Sequence, residues 1–166
     1  MGYPLTETAA GMPHMRDRLL ALGVECRIFT HDARQDGYNY LHAFVGFRGL
    51  AGDSLGAGSA ALFAGDLKGP VDFVGGFQPS AWDPIGKGPL SNRYITVPPN
   101  VRYAHCIWDP VFLDTFGLGN CHYVITQGTK TVLSETRHRG AHPDDWGYAQ
   151  DVMMSHIQLL LKQAPK

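Results

Sequence analysis

Residues 48 to 77 read RGLAGDSLGAGSAALFAGDLKGPVDFVGGF, and this stretch limits the architecture more than any other part of the chain. A short segment, Arg48 to Asp53, runs into a turn of glycine, aspartate and serine. Ser54 to Ala64 is a helix-compatible run of small residues, and Val71 to Phe77 is a continuous apolar run of the kind found in strands covered on both faces. A strand, a helix and a second strand in that order predict parallel neighbours, because parallel pairing needs a crossover connection.

The rest of the chain continues the alternation. Met12, Met15, Leu19 and Leu22 recur at spacings of three and four, which predicts a helix stopped by Gly23 in a left-handed cap. VECRIFT, Val24 to Thr30, has the period of a strand, and Tyr38 to Phe47 carries Tyr38, Leu41, His42 and Val45 on one helical side. Gln78 to Asn100 is rich in proline and glycine and predicts an excursion without lasting regular structure. VRYAHCIW, Val101 to Trp108, and HYVIT, His122 to Thr126, read as strands, the latter with a ragged continuation through Thr131 to Leu133. From Trp146 on, Ala149, Val152, Met153, Ile157, Leu160 and Leu161 mark a last helix, with His156 on the same stripe. The reading is one domain over residues 1 to 166, a three-layer α/β/α sandwich around a mostly parallel sheet of about five to six strands.

Composition removes several functions. With 44% hydrophobic residues the chain can bury enough apolar surface to fold, so global disorder is excluded. Lys plus Arg number 14 against 15 for Asp plus Glu, and the longest basic cluster is Arg137-His138-Arg139. That is too little to neutralise a run of phosphates, so no nucleic-acid partner is expected. No window reaches the roughly 20 apolar residues of a membrane span, and the first residues lack a signal-like apolar run, so the expected compartment is the cytoplasm. Cys26, Cys106 and Cys121 form neither a CxxC pair nor an even-numbered framework and read as buried apolar thiols.

The sharpest chemical signal is Gly52-Asp53-Ser54-Leu55-Gly56, a G-x-S-x-G pentapeptide between a strand and a helix. A serine on so tight a turn has a strained backbone, and the residues two before and two after it must be tiny for strand and helix to approach. Gly52 and Gly56 meet that demand; the helix start aims free N–H groups at the serine, which makes the Leu55 N–H an oxyanion-hole donor.

With GLAGDSLGAGSAALFAG followed by VDFVGGFQPS, the chain resembles the α/β-hydrolase superfamily, in particular its compact lipase and esterase-like members, from about Gly11 to Lys162. The resemblance implies a Ser, acid, His order in the chain. It places the acid after the second strand beyond the elbow, where Asp109 stands, and the histidine just before the last helix, where His142 stands. It further implies that Ser54 is the nucleophile, His142 the general base and Asp109 its orienting acid, with a small-molecule ester as substrate and neither cofactor nor metal. The second oxyanion donor would come from Gly2 or Tyr3, or from His31-Asp32, or Leu55 would serve alone. The strand after the elbow ends in Gln78-Pro79 where such members often carry Asp-Pro; Asp83 is therefore a fallback acid, and a non-catalytic binding or structural protein of the same fold is the alternative.

A weaker echo joins the chain to the SGNH or GDSL-type esterases: Gly52-Asp53-Ser54-Leu55 spells their serine block, and His142-Pro143 with Gly147-Tyr148-Ala149 resembles their histidine block, with Asn120 as an asparagine-block counterpart. Asp144 or Asp145 is expected to cap the last helix, and Trp82 and Trp108 to stand near a pocket mouth, with core packing as the plain role for Trp108. His105 and His122 read as core or supporting residues, and a sheet with few strands has an exposed edge that a homodimer would cover.

Overall fold

The computed structural model describes residues 11–30, 33–44, 46–80, 94–108, 121–137 and 146–163. Four helices and six strands occupy them: α1 (Gly11–Ala21), α2 (Arg34–His42), β1 (Gly49–Asp53), α3 (Leu55–Asp66), β2 (Val71–Phe77), β3 (Tyr94–Val97), β4 (Val101–Trp108), β5 (His122–Ile125), β6 (Val132–Arg137) and α4 (Trp146–Gln163). The main sheet has the order β1-β2-β4-β6 with every neighbouring pair parallel, and β3 and β5 form a separate parallel pair. This is a small α/β fold of the predicted class, its six strands divided four and two.

Two apolar clusters cover opposite faces of the main sheet. On one, Ala61 and Ala64 of α3 and Leu67 just after it pack with Val74, Ala104 and Cys106 of the sheet and with Ile95, Val97 and Tyr123 of the two-stranded sheet. On the other, Met15 of α1 and Ala149, Met153 and Ile157 of α4 pack against Phe73, Phe77 and Ile107. The period of two in the strands produces this division, since Phe73 and Phe77 point to α4 while Val74 points to α3. Glycines at 75 and 76 thin β2 where large side chains cross it: a Cβ on Gly75 would lie 2.7 Å from the Met153 sulfur, and one on Gly76 2.5 Å from the Tyr123 hydroxyl.

Several local expectations hold in detail. Gly23 has φ +75, and the N–H groups of Gly23 and Val24 donate to the carbonyls of Leu20 and Leu19, the paired bonds of a glycine-terminated helix. The C-terminal end of α3 is held by Asn100, whose amide donates to the carbonyls of Ala64, Leu67 and Gly69 at 2.8, 3.3 and 3.1 Å. Cys106 and Cys121 are buried while Cys26 is only half-buried, and burial pushes the Cys106 thiol up to about 12, so it is chemically quiet.

Other expectations are corrected. Val24–Thr30 is not a strand: Phe29 and Arg27 instead lie on the Tyr40 ring of α2, at centroid distances of 5.6 and 4.9 Å. Alternation reports which side chains are covered and says nothing about the backbone partner. The second helix runs Arg34–His42, earlier than Tyr38 to Phe47. The proline- and glycine-rich excursion holds β3, whose Tyr94-Ile95-Thr96-Val97 alternates exposed and buried positions. What looked like a ragged continuation of β5 is β6, an independent strand on the edge of the main sheet. Trp108 takes the packing role given as its plain alternative: half-buried against the core on the α3 side, it lies edge-on to His122 at 4.4 Å and under the Arg137 guanidinium at 5.4 Å. No helix among the described residues is long and apolar enough to cross a membrane.

Behind the sheet, His105 is fully buried with Nε2 3.2 Å from the Thr136 hydroxyl, and its ring centroid lies 4.3 Å from that of His156, whose Nδ1 is 2.9 Å from the Tyr103 hydroxyl. His105 Nδ1 has no hydrogen-bond partner among the described residues. Burial first, and the neighbouring His156 second, lower His105 from 6.5 to about 4. The neutral ring is thus the folded form, and its contribution is complete above pH 6.5 and lost as pH falls through about 4. Urea midpoints should therefore report a loss of about 2 kcal/mol between about pH 7 and pH 5. That loss should shrink in His105→Leu, and an unchanged pH dependence in this variant would remove His105 as its source.

Candidate active site

The C-terminal ends of the four parallel strands lie level. Asp53 faces Phe77, Phe77 faces Ile107 and Ile107 faces Thr136, so one row crosses the whole sheet. The ladder continues one residue further: the Ser54 N–H donates to the Phe77 carbonyl at 2.9 Å and the Gln78 N–H to the Ile107 carbonyl at 2.7 Å. Ser54, Gln78, Trp108 and Arg137 therefore end their strands along one edge, where open parallel sheets carry their ligand sites.

Ser54 has φ +50 and ψ −119, and Gln78 has φ +44; they are the two non-glycine residues with positive φ among the described residues, and they lie side by side on that edge. Such conformations cost about 1–3 kcal/mol each and persist where the surroundings impose them. The surroundings here are explicit. The Ser54 carbonyl accepts from the N–H groups of Ala57 (3.1 Å), Gly58 (3.4 Å) and Ser80 (2.9 Å), which fixes the peptide from both the helix and the loop after β2.

The serine stands at the N-cap of α3 but its side chain makes no capping hydrogen bond. A serine in that place ordinarily takes an extended backbone and bonds the N–H two or three residues on. Here the side chain leaves the first N–H groups of α3, beginning with Leu55, without a cap from Ser54, while the Ala57 N–H bonds the Ser54 carbonyl.

The glycines around it have different duties. A Cβ on Gly52 would stand 2.3 Å from the carbonyl carbon and oxygen of Gly56 and 2.5 Å from the Ala57 nitrogen, so β1 and α3 touch backbone to backbone there. A Cβ on Gly56 would meet nothing within 4 Å. The demand for a tiny residue thus falls on Gly52, and the space at Gly56 belongs to a cavity. Tyr123, fully buried, donates its hydroxyl to the Ala57 carbonyl at 2.9 Å and secures the first turn of α3 from the side of β5.

The cavity has a volume of about 520 Å³ and is bounded by β1, α3, α2, α1 and the 24–30 segment, with Ser54 in its wall. That volume is in the range of small-molecule sites. Sequence reasoning missed it because the residues opposite β1 read as a paired strand. Its signal was the stripe Gly56, Ser59, Ala60 and Phe63 of α3, spaced as one helical face, all four of which line the space.

Of the residues expected at the site, Gly52, Asp53, Ser54, Leu55 and Gly56 form one turn, with Leu55 the first residue of α3. Asp109 follows the last residue of β4 and His142 lies between β6 and α4 in the chain; both are outside the described residues, as are Gly2, Tyr3, Asp83, His31, Asp32, Trp82, Asn120, Asp144 and Asp145. Compared with known protein families, curated proteins and solved structures, the chain matches none. The site is therefore argued from its own geometry. Gln78 gains weight from it: beyond its strained φ, its buried side-chain oxygen has no partner among the described residues. Such an orphan next to a strained serine is unusual enough to mark a working surface. His122 has a supporting place, 3.3 Å from Glu135 and against Trp108. Among the described residues no group of three or more His, Cys, Asp or Glu is gathered as a metal site would need.

Proposed function

We propose that the protein is a serine hydrolase of the α/β-hydrolase type, cleaving a carboxylic ester through an acyl-enzyme on Ser54. The observation that carries this reading is the serine's backbone, φ +50 and ψ −119 at the end of a parallel strand, with its hydroxyl unused by the helix it precedes. Strain at a serine whose hydroxyl does not cap the helix it precedes is what a positioned nucleophile requires.

In this reading His142 takes the Ser54 hydroxyl proton as Oγ bonds the ester carbonyl carbon, and Asp109 holds the imidazole tautomer. The carbonyl oxygen gathers charge facing the Leu55 N–H at the helix start. The carbon–oxygen bond to the alcohol then breaks, the alcohol leaves with the proton from His142, and water repeats the sequence to free the acid and the serine. Support for the assignment comes from the described strands alone: β1, β4 and β6, which precede Ser54, Asp109 and His142 in the chain, are parallel and end in one row.

A fluorophosphonate probe read by peptide mapping tests the reading. Covalent addition is expected at Ser54 in the wild type, with a rate that falls by about 10³-fold or more in His142→Ala. A folded wild type that takes no label would overturn it and turn the search from substrates to binding partners of a non-catalytic fold.

A further inference from the structure

Arg137 ends the row that begins at Ser54. Its guanidinium does not reach outward from the edge strand β6; it lies back over the Trp108 ring of β4, 5.4 Å from the centroid. Trp108 is held in turn by His122, whose ring meets it edge-on at 4.4 Å and stands 6.3 Å from Tyr94. Arg137 is exposed and has no carboxylate partner among the described residues, whose ion pairs are those of Arg16, Arg18, Arg102 and His122. The acid placed to claim it is Glu135, two residues earlier and so on the same face of β6. Glu135 is engaged elsewhere, 3.3 Å from His122 Nδ1. His122 thus supports the tryptophan and draws the carboxylate aside, which leaves a guanidinium backed by an aromatic ring and spent on no acid.

We propose that Arg137 is a specificity residue that binds a carboxylate carried by the substrate, so that the esters taken are those of carboxylate-bearing molecules. A guanidinium stacked on a ring keeps N–H groups that match the two oxygens of a carboxylate. The cluster holds one cation with Glu135 beside it, which suits a single negative charge and opposes the two of a phosphate. Ser54 and Trp108 end strands two spacings apart, roughly 10 Å, with Gln78 between them. The carboxylate therefore sits about that far from the bond that is cut. That distance rests on Ser54 being the nucleophile; the contact with Arg137 does not.

The experiment compares esters that end in a carboxylate with the same esters ending in a neutral carboxamide, in two series. One carries the group on the acyl side, as the nitrophenyl monoester of octanedioate, and the other on the alcohol side, as the acetyl ester of hydroxyoctanoate. Binding without turnover is read from Trp108 fluorescence during titration with octanedioate, in protein whose other tryptophans are removed by Trp82→Phe and Trp146→Phe and whose melting curve shows it folded. Expected in at least one series is a carboxylate-to-carboxamide ratio of kcat/KM of about five at low ionic strength, the range of an exposed ion pair, falling toward one in about 0.5 M salt. Octanedioate should quench Trp108 saturably. Arg137→Gln should bring the ratio to one and abolish the quenching, and Arg137→Glu should invert the ratio, which loss of a merely structural arginine would not do. His122→Ala should also lose the preference, because Glu135 then turns to Arg137, and Glu135→Gln added to it should restore the preference. A ratio of one in both series without quenching, in protein whose Ser54 takes the fluorophosphonate, would overturn the carboxylate site and leave the serine reading intact. A preference that survives Arg137→Gln would overturn it equally. Quenching that Arg137→Gln abolishes, in protein that never labels, would support the carboxylate site while the nucleophile reading fails.

Discussion

Gly52→Ala is expected to lose about 3 kcal/mol of stability or more, at the upper end of overpacking costs, and to slow Ser54 labelling by about a hundredfold in whatever fraction folds. The added methyl has nowhere to go, because the atoms 2.3 Å away are the carbonyl of Gly56 and not a side chain that could turn aside. Neither partner can retreat. β1 is hydrogen-bonded along β2, and the first turn of α3 is tied to Ser54, to Ser80 through that same residue, and to the buried Tyr123 hydroxyl. Relief must come from rotating α3 away from the strand, which moves the Leu55 N–H relative to the serine. Gly56→Ala supplies the contrast: its methyl enters open space in the first turn of α3, and the exchange should leave stability unchanged or raise it by less than the roughly 1 kcal/mol of a helix interior. Urea unfolding and labelling rates on the two variants check the pair, and a Gly52→Ala protein as stable and reactive as wild type would remove the backbone contact from the account.

The elbow was legible from letters because its constraint is local. Five consecutive residues must satisfy a turn, a close approach and a helix start together, and few side chains do so. β2 and β4 were legible for a related reason, as runs such as VDFVGGF are covered on both faces and carry their burial in composition, whereas β6, with its exposed and half-covered positions, passed for a continuation of β5. What escaped was long-range. VECRIFT has a strand's period, yet its covering partner is the face of α2, and nothing in seven residues distinguishes a neighbouring strand from a neighbouring helix. β3 was hidden because four residues between prolines pair with β5, more than twenty positions away. Gln78 was read as a missing carboxylate; its strained φ depends on the ladder from Ile107 and on the serine beside it, which no local pattern encodes. The cavity was invisible for a related reason: Gly56, Ser59 and Ala60 looked like a thin helix packing on a sheet, whereas that duty belongs to Ala57, Ala61 and Ala64, all fully buried.

Ser54→Gly separates what the serine costs from what it does. At φ +50 and ψ −119 any residue with a Cβ is held in a sparsely populated conformation, and glycine is not. The relief, on the order of 1–3 kcal/mol, is reduced by up to about 1 kcal/mol because glycine has more freedom to lose from the unfolded chain. Nothing else offsets the gain, since the Ser54 hydroxyl makes no capping bond that the variant would forfeit. Ser54→Gly should therefore melt above wild type by about 2–4 °C, while Ser54→Ala, which keeps the strain, should not. Both should lose at least about 10³-fold in ester turnover and all fluorophosphonate labelling. A variant that gains stability while losing its chemistry identifies a residue retained against the interest of the fold, the signature of a strained nucleophile. If Ser54→Gly melts below wild type, the serine is instead a structural part of the turn, and the strain argument for a nucleophile fails with it.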